Sequence, residues 1–216
     1  MSTSISETAQ TIFQRAYENR YTWDEFFPGY TADLLFQDDQ TTCKVNVVVS
    51  AELQSRVEGA EDIQLTEFVN KHLWDIVTHR KRSNFSQAHG KNILSIGEVD
   101  DSGSVEIFVT GESMGSHYRV RGDIISQVSR QMGGLSFTID TIETLQTEDG
   151  YLPTVYKAVF RDATTGNIKA NRQHIDSYEK VGRYYIPSRQ IINSIDDQGK
   201  TRDSVFQFNN INLLST

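Results

Sequence analysis

The chain of 216 residues contains one cysteine, Cys43, and three prolines. A single thiol excludes an intramolecular disulfide framework and a zinc ribbon, and it fits a reducing compartment. So few prolines leave little room for extended linkers. No apolar run approaches the roughly 18 residues that a membrane-spanning helix needs. Positive charge is also short: 21 Lys and Arg face 29 Asp and Glu, a net charge of -8. That balance argues against nonspecific nucleic-acid binding and against docking on an acidic membrane. The opening MSTSISETAQ lacks the basic start and apolar stretch of a secretory signal. A cytoplasmic protein is therefore expected, although a processed precursor would read the same way.

What remains, from about Gly29 to Leu214, is a long alternation of strands and Gly-marked turns with one clear helical interruption. Apolar residues make up 37% and charged residues 23%, which argues against wholesale disorder. The length suits one sizeable core, so residues 1–216 are expected to form a single domain. Residues 4–20 read as a helix, with Ser4 and Glu7 at capping-box spacing. Ile5, Ala9, Ile12, Phe13, Ala16 and Tyr17 fall on one stripe. The text RYTWDEFFPGYTADLLF follows, rich in aromatics and ending in a strand with Tyr30, Ala32, Leu34 and Phe36 on one face. Cys43, Val45, Val47 and Val49 alternate in the next strand, and Leu53, Ser55 and Val57 in a third. Leu65, Phe68, Val69, His72, Leu73, Ile76 and Val77 then repeat at three and four, so residues 64–80 should be a helix. Residues 84–90 add a short helical turn ending at Gly90. Strands occupy the rest, with Val181-Gly182-Arg183 as a tight corner. About ten or eleven strands are expected. The fold class is α+β: a strongly curved antiparallel sheet, half-barrel or barrel, with the N-terminal and mid-chain helices on its concave side.

The densest polar text is THRKRSNFSQAHGKN, residues 78–92. His79, Arg80, Arg82, His89 and Lys91 are the candidates for an anion site. The competing reading is a helix end followed by a solvated loop, since cations suit the negative end of a helix dipole. The five histidines offer no zincin pattern; His72 and His79 lie two turns apart, about 10 Å, too far to share one ion. No metal and no cofactor are expected. Cys43 alternates with valines and reads as a core residue. There is no Gly-x-Ser-x-Gly elbow, and Met114-Gly115-Ser116-His117 and Gln131-Met132-Gly133-Gly134 have neither Walker spacing nor a Rossmann context. Asp24 and Glu25 beside aromatics have the composition of a sugar site, against the plainer reading of an aromatic connection packed under the sheet. Asp33, Asp140 and Asp176 sit within strands, where each would serve a ligand or pair with an arginine.

The blocks RYTWDEFFPGYTADLLF, DIVTHRKRSNFSQAHGKN, SMGSHYRVRGDIISQVSRQMGG and YEKVGRYYIPSRQIINS resemble a family of uncharacterised proteins from cyanobacteria and chloroplasts. The likeness covers nearly the whole chain. It implies a photosynthetic source and a cytoplasmic, stromal or thylakoid-associated setting, and it brings no catalytic residues. The layout of helix, strands, mid-chain helix and closing hairpin is similar to the lipoprotein-carrier (LolA-like) half-barrel, whose members hold acyl chains on a concave face. The export signal of those proteins is missing here.

Three functional readings follow. The first is a non-enzymatic binding protein with an apolar cavity lined by Trp23, Phe26, Phe27, Tyr30, Phe36, Phe68 and Trp74, for a lipid-like or pigment-like guest. The basic loop would then meet an anionic head group. The second is an interaction or assembly factor for the photosynthetic apparatus, with a filled core and an exposed aromatic patch between Tyr21 and Tyr30. The third is an enzyme acting on an anionic small molecule, which requires two of His79, His89 and His117 in one cleft.

Overall fold

In the computed structural model, residues 7–59, 62–112 and 116–215 are described. The first helix, α1 (Ala9–Glu18), starts where the Thr8 side chain accepts from the Thr11 amide. Ser4, and with it the expected capping box, lies outside the described residues, as does Ile5. The five remaining members of the apolar stripe are all buried. Three strands follow: β1 (Gly29–Asp38), β2 (Thr42–Ser50) and the short β3 (Ser55–Glu58). Leu53 does not extend β3. It sits in the preceding turn at φ 62°, its amide donating to the Ser50 carbonyl. Helix α2 (Ile63–Arg80) begins at Asp62, whose carboxylate accepts from the Gln64 and Leu65 amides. Helix α3 (Phe85–His89) is capped by Asn84 and ends at Gly90, as its text suggests.

Nine further strands complete the chain: β4 (Asn92–Val99), β5 (Val105–Gly111), β6 (His117–Arg121), β7 (Ile124–Met132), β8 (Leu135–Thr147), β9 (Gly150–Asp162), β10 (Ile168–Val181), β11 (Tyr184–Asp196) and β12 (Thr201–Leu213). Hydrogen bonding orders the sheet β3-β2-β1-β12-β11-β10-β9-β8-β7-β6-β5-β4. Among the described residues the sheet is antiparallel and does not close, because β3 and β4 stand at the two ends of the order and do not pair with each other. The described residues form twelve strands rather than ten or eleven. The additional one is β4, whose alternation is broken by a register shift between Ile96 and Val99.

The chain groups into two compact units. The first holds α1, α3 and β4 to β9. Its core gathers Phe13 and Ala16 of α1 with Ile107, Val109, Tyr118 and Val120 of the strands. The face of β7 and β8 turned away from this core carries polar pairs: Gln127 bonds Asp140 at 2.7 Å and Ser129 bonds Thr138 at 3.1 Å. One dry and one wet face is what antiparallel strands permit. The segment after α1 docks on the β8–β9 hairpin, with the Tyr151 amide donating to the Asn19 carbonyl and the Tyr21 amide to the Tyr151 carbonyl, both at 2.9 Å. Gly150 stands at this approach with φ 120°; a Cβ there would strike the Asn19 carbonyl.

The second unit holds β1 to β3, α2 and most of β10 to β12. Tyr30, Ala32, Leu34 and Phe36 of β1 and Val45, Val47 and Val49 of β2 are buried, as are Phe206 and Phe208 of β12. The buried stripe of α2 is Val69, Leu73, Ile76 and Val77. Phe68 packs on Phe36 and Phe206 with centroids 5.1 and 5.9 Å away, and so seats α2 on this face. Cys43 continues the β2 alternation opposite Phe36, half-buried, and burial pushes its thiol pKa up.

Candidate binding surface

The segment between α1 and β1 turns on Asp24. Its carboxylate accepts from the Phe26 amide at 3.1 Å and the Tyr184 hydroxyl at 2.8 Å, and it pairs with Arg183. Burial opposes the carboxylate charge, but these partners outweigh it and hold the carboxyl below its ordinary pKa. The turn sends Phe27 inward and Phe26 outward. Trp23 is fixed at three points: its amide donates to the Arg80 carbonyl at 2.8 Å, its indole N–H donates to the Tyr185 carbonyl at 3.2 Å, and its ring stacks on Phe27 at 4.2 Å. Asp24 is therefore a structural brace.

Four of the seven candidate lining residues, Trp23, Phe27, Tyr30 and Phe36, are buried and packed on other rings. Tyr30 is fully enclosed, and burial raises its pKa; its hydroxyl has no partner among the described residues. The other three face outward. Phe26 is 69% exposed beneath the Arg183 guanidinium, Phe68 is 46% exposed and Trp74 is 61% exposed. Two shallow depressions lie beside Asp33, Asn46 and Asn210, and none of the seven lines them.

Trp74 and the exposed Ile63 are eleven residues apart, close to three full turns, and share one line along the helix. That line flanks the buried stripe, roughly 100° from its centre, and the polar residues Glu67, Lys71 and Thr78 occupy the side opposite the stripe. Trp74 and Ile63 are thus exposed apolar side chains on one flank of a helix whose stripe is already packed.

The candidate anion residues divide between the two units. His79, Arg80 and Arg82 belong to the second unit, and His89 and Lys91 to the first. His79 and Arg82 are exposed. Arg80 turns inward, donating to the Tyr178 hydroxyl at 2.8 Å, and that hydroxyl reaches Asp176 at 3.4 Å. Burial pushes the Tyr178 pKa up to about 12, against the pull of Arg80. Lys91 pairs with Glu112 at 2.9 Å. His89 is a core ring instead of a loop ligand: α3 directs it between Phe13 at 4.9 Å and Tyr17 at 5.0 Å. Burial lowers its pKa to about 4, with Arg130 and Arg20 adding to the effect, so it is neutral at physiological pH and offers an anion no charge.

His89 touches Tyr118, whereas His117 lies beside Phe108. Tyr118 and His117 are successive residues of β6, so the two histidines lie on opposite faces of that strand. They share no cleft. His72 is also internal, stacked on Phe206 at 3.6 Å and bonded to Gln190 at 2.8 Å, and burial lowers its pKa to about 4. The His72–Gln190 and Arg80–Tyr178 pairs are joined across more than ninety positions of sequence, and only the place of His72 on an apolar stripe hinted at burial.

A family model matches residues 5–214. The chain belongs to the DUF3386 family, proteins of unknown function. No curated protein matches it. Among solved structures, the DUF3386 chain is similar to the LolA superfamily protein NE2245 of Nitrosomonas europaea. That likeness has 12% identity, covers 98% of this chain and 96% of that one, and has a TM-score of 0.37. It is also similar to a chain of the MucA/MucB complex of Pseudomonas aeruginosa, at 11% identity, 96% and 99% coverage and a TM-score of 0.25. At such scores neither likeness bears on function, and the fold class rests on the strand order itself.

Among the described residues of this DUF3386 member, no group of three or more His, Cys, Asp or Glu side chains is placed to hold a metal ion. No described helix is long and apolar enough to cross a membrane.

Proposed function

We propose that this DUF3386 protein is a non-enzymatic binding protein that takes a lipid-like or pigment-like guest against the outward face of α2. The observation that carries this reading is the exposure of Trp74 and Ile63 on one flank of a helix whose buried stripe is already packed. Trp74 to Ile63 spans about 16 Å along the axis, which suits an extended chain. Covering side chains of this size is worth about 1.5–3 kcal/mol each. The guest therefore meets Trp74 of the expected lining, while Trp23, Phe27, Tyr30 and Phe36 stay in the packed core and do not touch it. A photosynthetic setting, cytoplasmic or stromal, belongs to the same proposal and makes a pigment or membrane lipid the natural guest.

The second reading, an assembly factor without an internal ligand, is favoured by the packed rings around Trp23 and by exposed Phe26. Tryptophan fluorescence separates the two, because Trp23 is buried and Trp74 is exposed. Delipidated protein is titrated with oleic acid and, separately, with phytol. The expected result is a saturable blue shift of Trp74 emission that is lost in Ile63→Glu, a change at an exposed position. No shift with either probe, or a shift indifferent to Ile63→Glu, refutes the α2 site.

A further inference from the structure

Among the described residues, two strands end the sheet order, and they are built differently. β3 has four residues and carries the Arg56–Glu58 ion pair, at 2.7 Å, on its exposed side. A short, charged strand is a poor template for further pairing. β4 has eight residues, NILSIGEV, with a single charged side chain and no proline. Ile93 is 71% exposed and Val99 is 62% exposed, and exposed Phe108 lies opposite Ser95 on β5. One end of the sheet is thus short and charged, while the other is long and mostly uncharged and carries the irregularity between Ile96 and Val99.

We propose that β4 is a homodimer interface, in which it pairs antiparallel with β4 of a second copy and joins two sheets edge to edge. The charges around the strand choose this occupant. Lys91 precedes β4, while Glu98, Asp100 and Asp101 close it. Antiparallel pairing about a two-fold axis at Ser95 sets Asn92 opposite Glu98 and Leu94 opposite Ile96. The basic entry of each copy then lies beside the acidic exit of the other. A two-fold contact requires such self-complementarity, and an arbitrary extended peptide would not supply it. Lys91 already meets Glu112 in an exposed pair, but its ammonium has further donors for a second carboxylate. The inference is independent of the α2 surface.

Sedimentation equilibrium of the full chain tests it. The expected mass is twice 24.5 kDa. Ser95 is exposed, so Ser95→Lys leaves the protomer folded while setting two ammonium groups face to face on the axis; it should return the mass to one copy. Gln54→Lys, the same charge at the entry to β3, should leave the dimer intact. In a Cys43→Ser background, Ser95→Cys should give a cross-linked dimer on mild oxidation, because directly opposite Cβ atoms lie about 4.5–5.5 Å apart. A single-copy mass at every concentration overturns the proposal, even if the edge captures an extended peptide. So does a dimer that survives Ser95→Lys and yields no Ser95→Cys cross-link.

Discussion

Lowering the pH from 7 to 4 should weaken both units, and the size of the effect follows from two rings. His72 is stacked on Phe206 in the second unit, and His89 sits among Phe13, Tyr17, Phe85 and Tyr118 in the first. Burial lowers each from the ordinary imidazole value of 6.5 to about 4. Between those limits the unfolded chain binds a proton that the folded chain refuses, so stability rises with pH through this window. It is fully present above about 6.5 and is lost as the pH falls toward 4. Each histidine should cost up to about 2 kcal/mol by pH 5 and about 3 kcal/mol by pH 4. Such losses are large against the whole stability of an ordinary domain, about 5–15 kcal/mol. Imidazole NMR signals, assigned with His72→Gln and His89→Phe, measure the cause directly. Both rings should stay neutral at pH 5.5, and urea midpoints should fall in parallel below pH 6.5. His89→Phe should flatten the pH dependence of the first unit, followed by amide exchange of β5 and β6. Either histidine titrating near 6.5 in the folded protein would refute the burial argument.

Three further outcomes are expected. Phe13→Ala should cost about 3–5 kcal/mol in urea denaturation, because a fully buried ring contacting Tyr118 at 4.4 Å and Phe85 at 5.7 Å leaves a cavity that α1 cannot collapse into. Gly150→Ala should cost about 1–3 kcal/mol and accelerate amide exchange at Tyr21 and Tyr151, since φ 120° and the Asn19 carbonyl both exclude a Cβ. Tyr178→Phe should cost about 1–3 kcal/mol by chemical denaturation, because Arg80 then loses its 2.8 Å acceptor within a largely enclosed site.

Periodicity made much of this architecture readable. The α1 stripe from Ala9 to Tyr17 is buried at each described position, and the stripe of α2 is buried at Val69, Leu73, Ile76 and Val77. β4 stayed hidden because Gly97 and the register shift beside it erase the two-residue repeat. The site was less readable, because a side chain's direction in a turn depends on distant partners. Phe26 and Phe27 are adjacent and alike, yet Asp24, braced by Tyr184 and Arg183, sends one out and the other in. Likewise, the basic text before Asn92 looked like one surface. Arg80 finds an acceptor in Tyr178, and α3 turns His89 into a ring cluster, and neither relation has a local sequence mark.

Cys43 gives the second unit an internal reporter. It is the sole thiol of the chain, half-buried opposite Phe36 and held in its protonated, unreactive form. A reagent that attacks thiolates is slowed there while the strand pair is closed, and opening of the β1–β2 end would speed it. Protection of that one sulfur therefore follows the integrity of the β1–β2 end, without any engineered label.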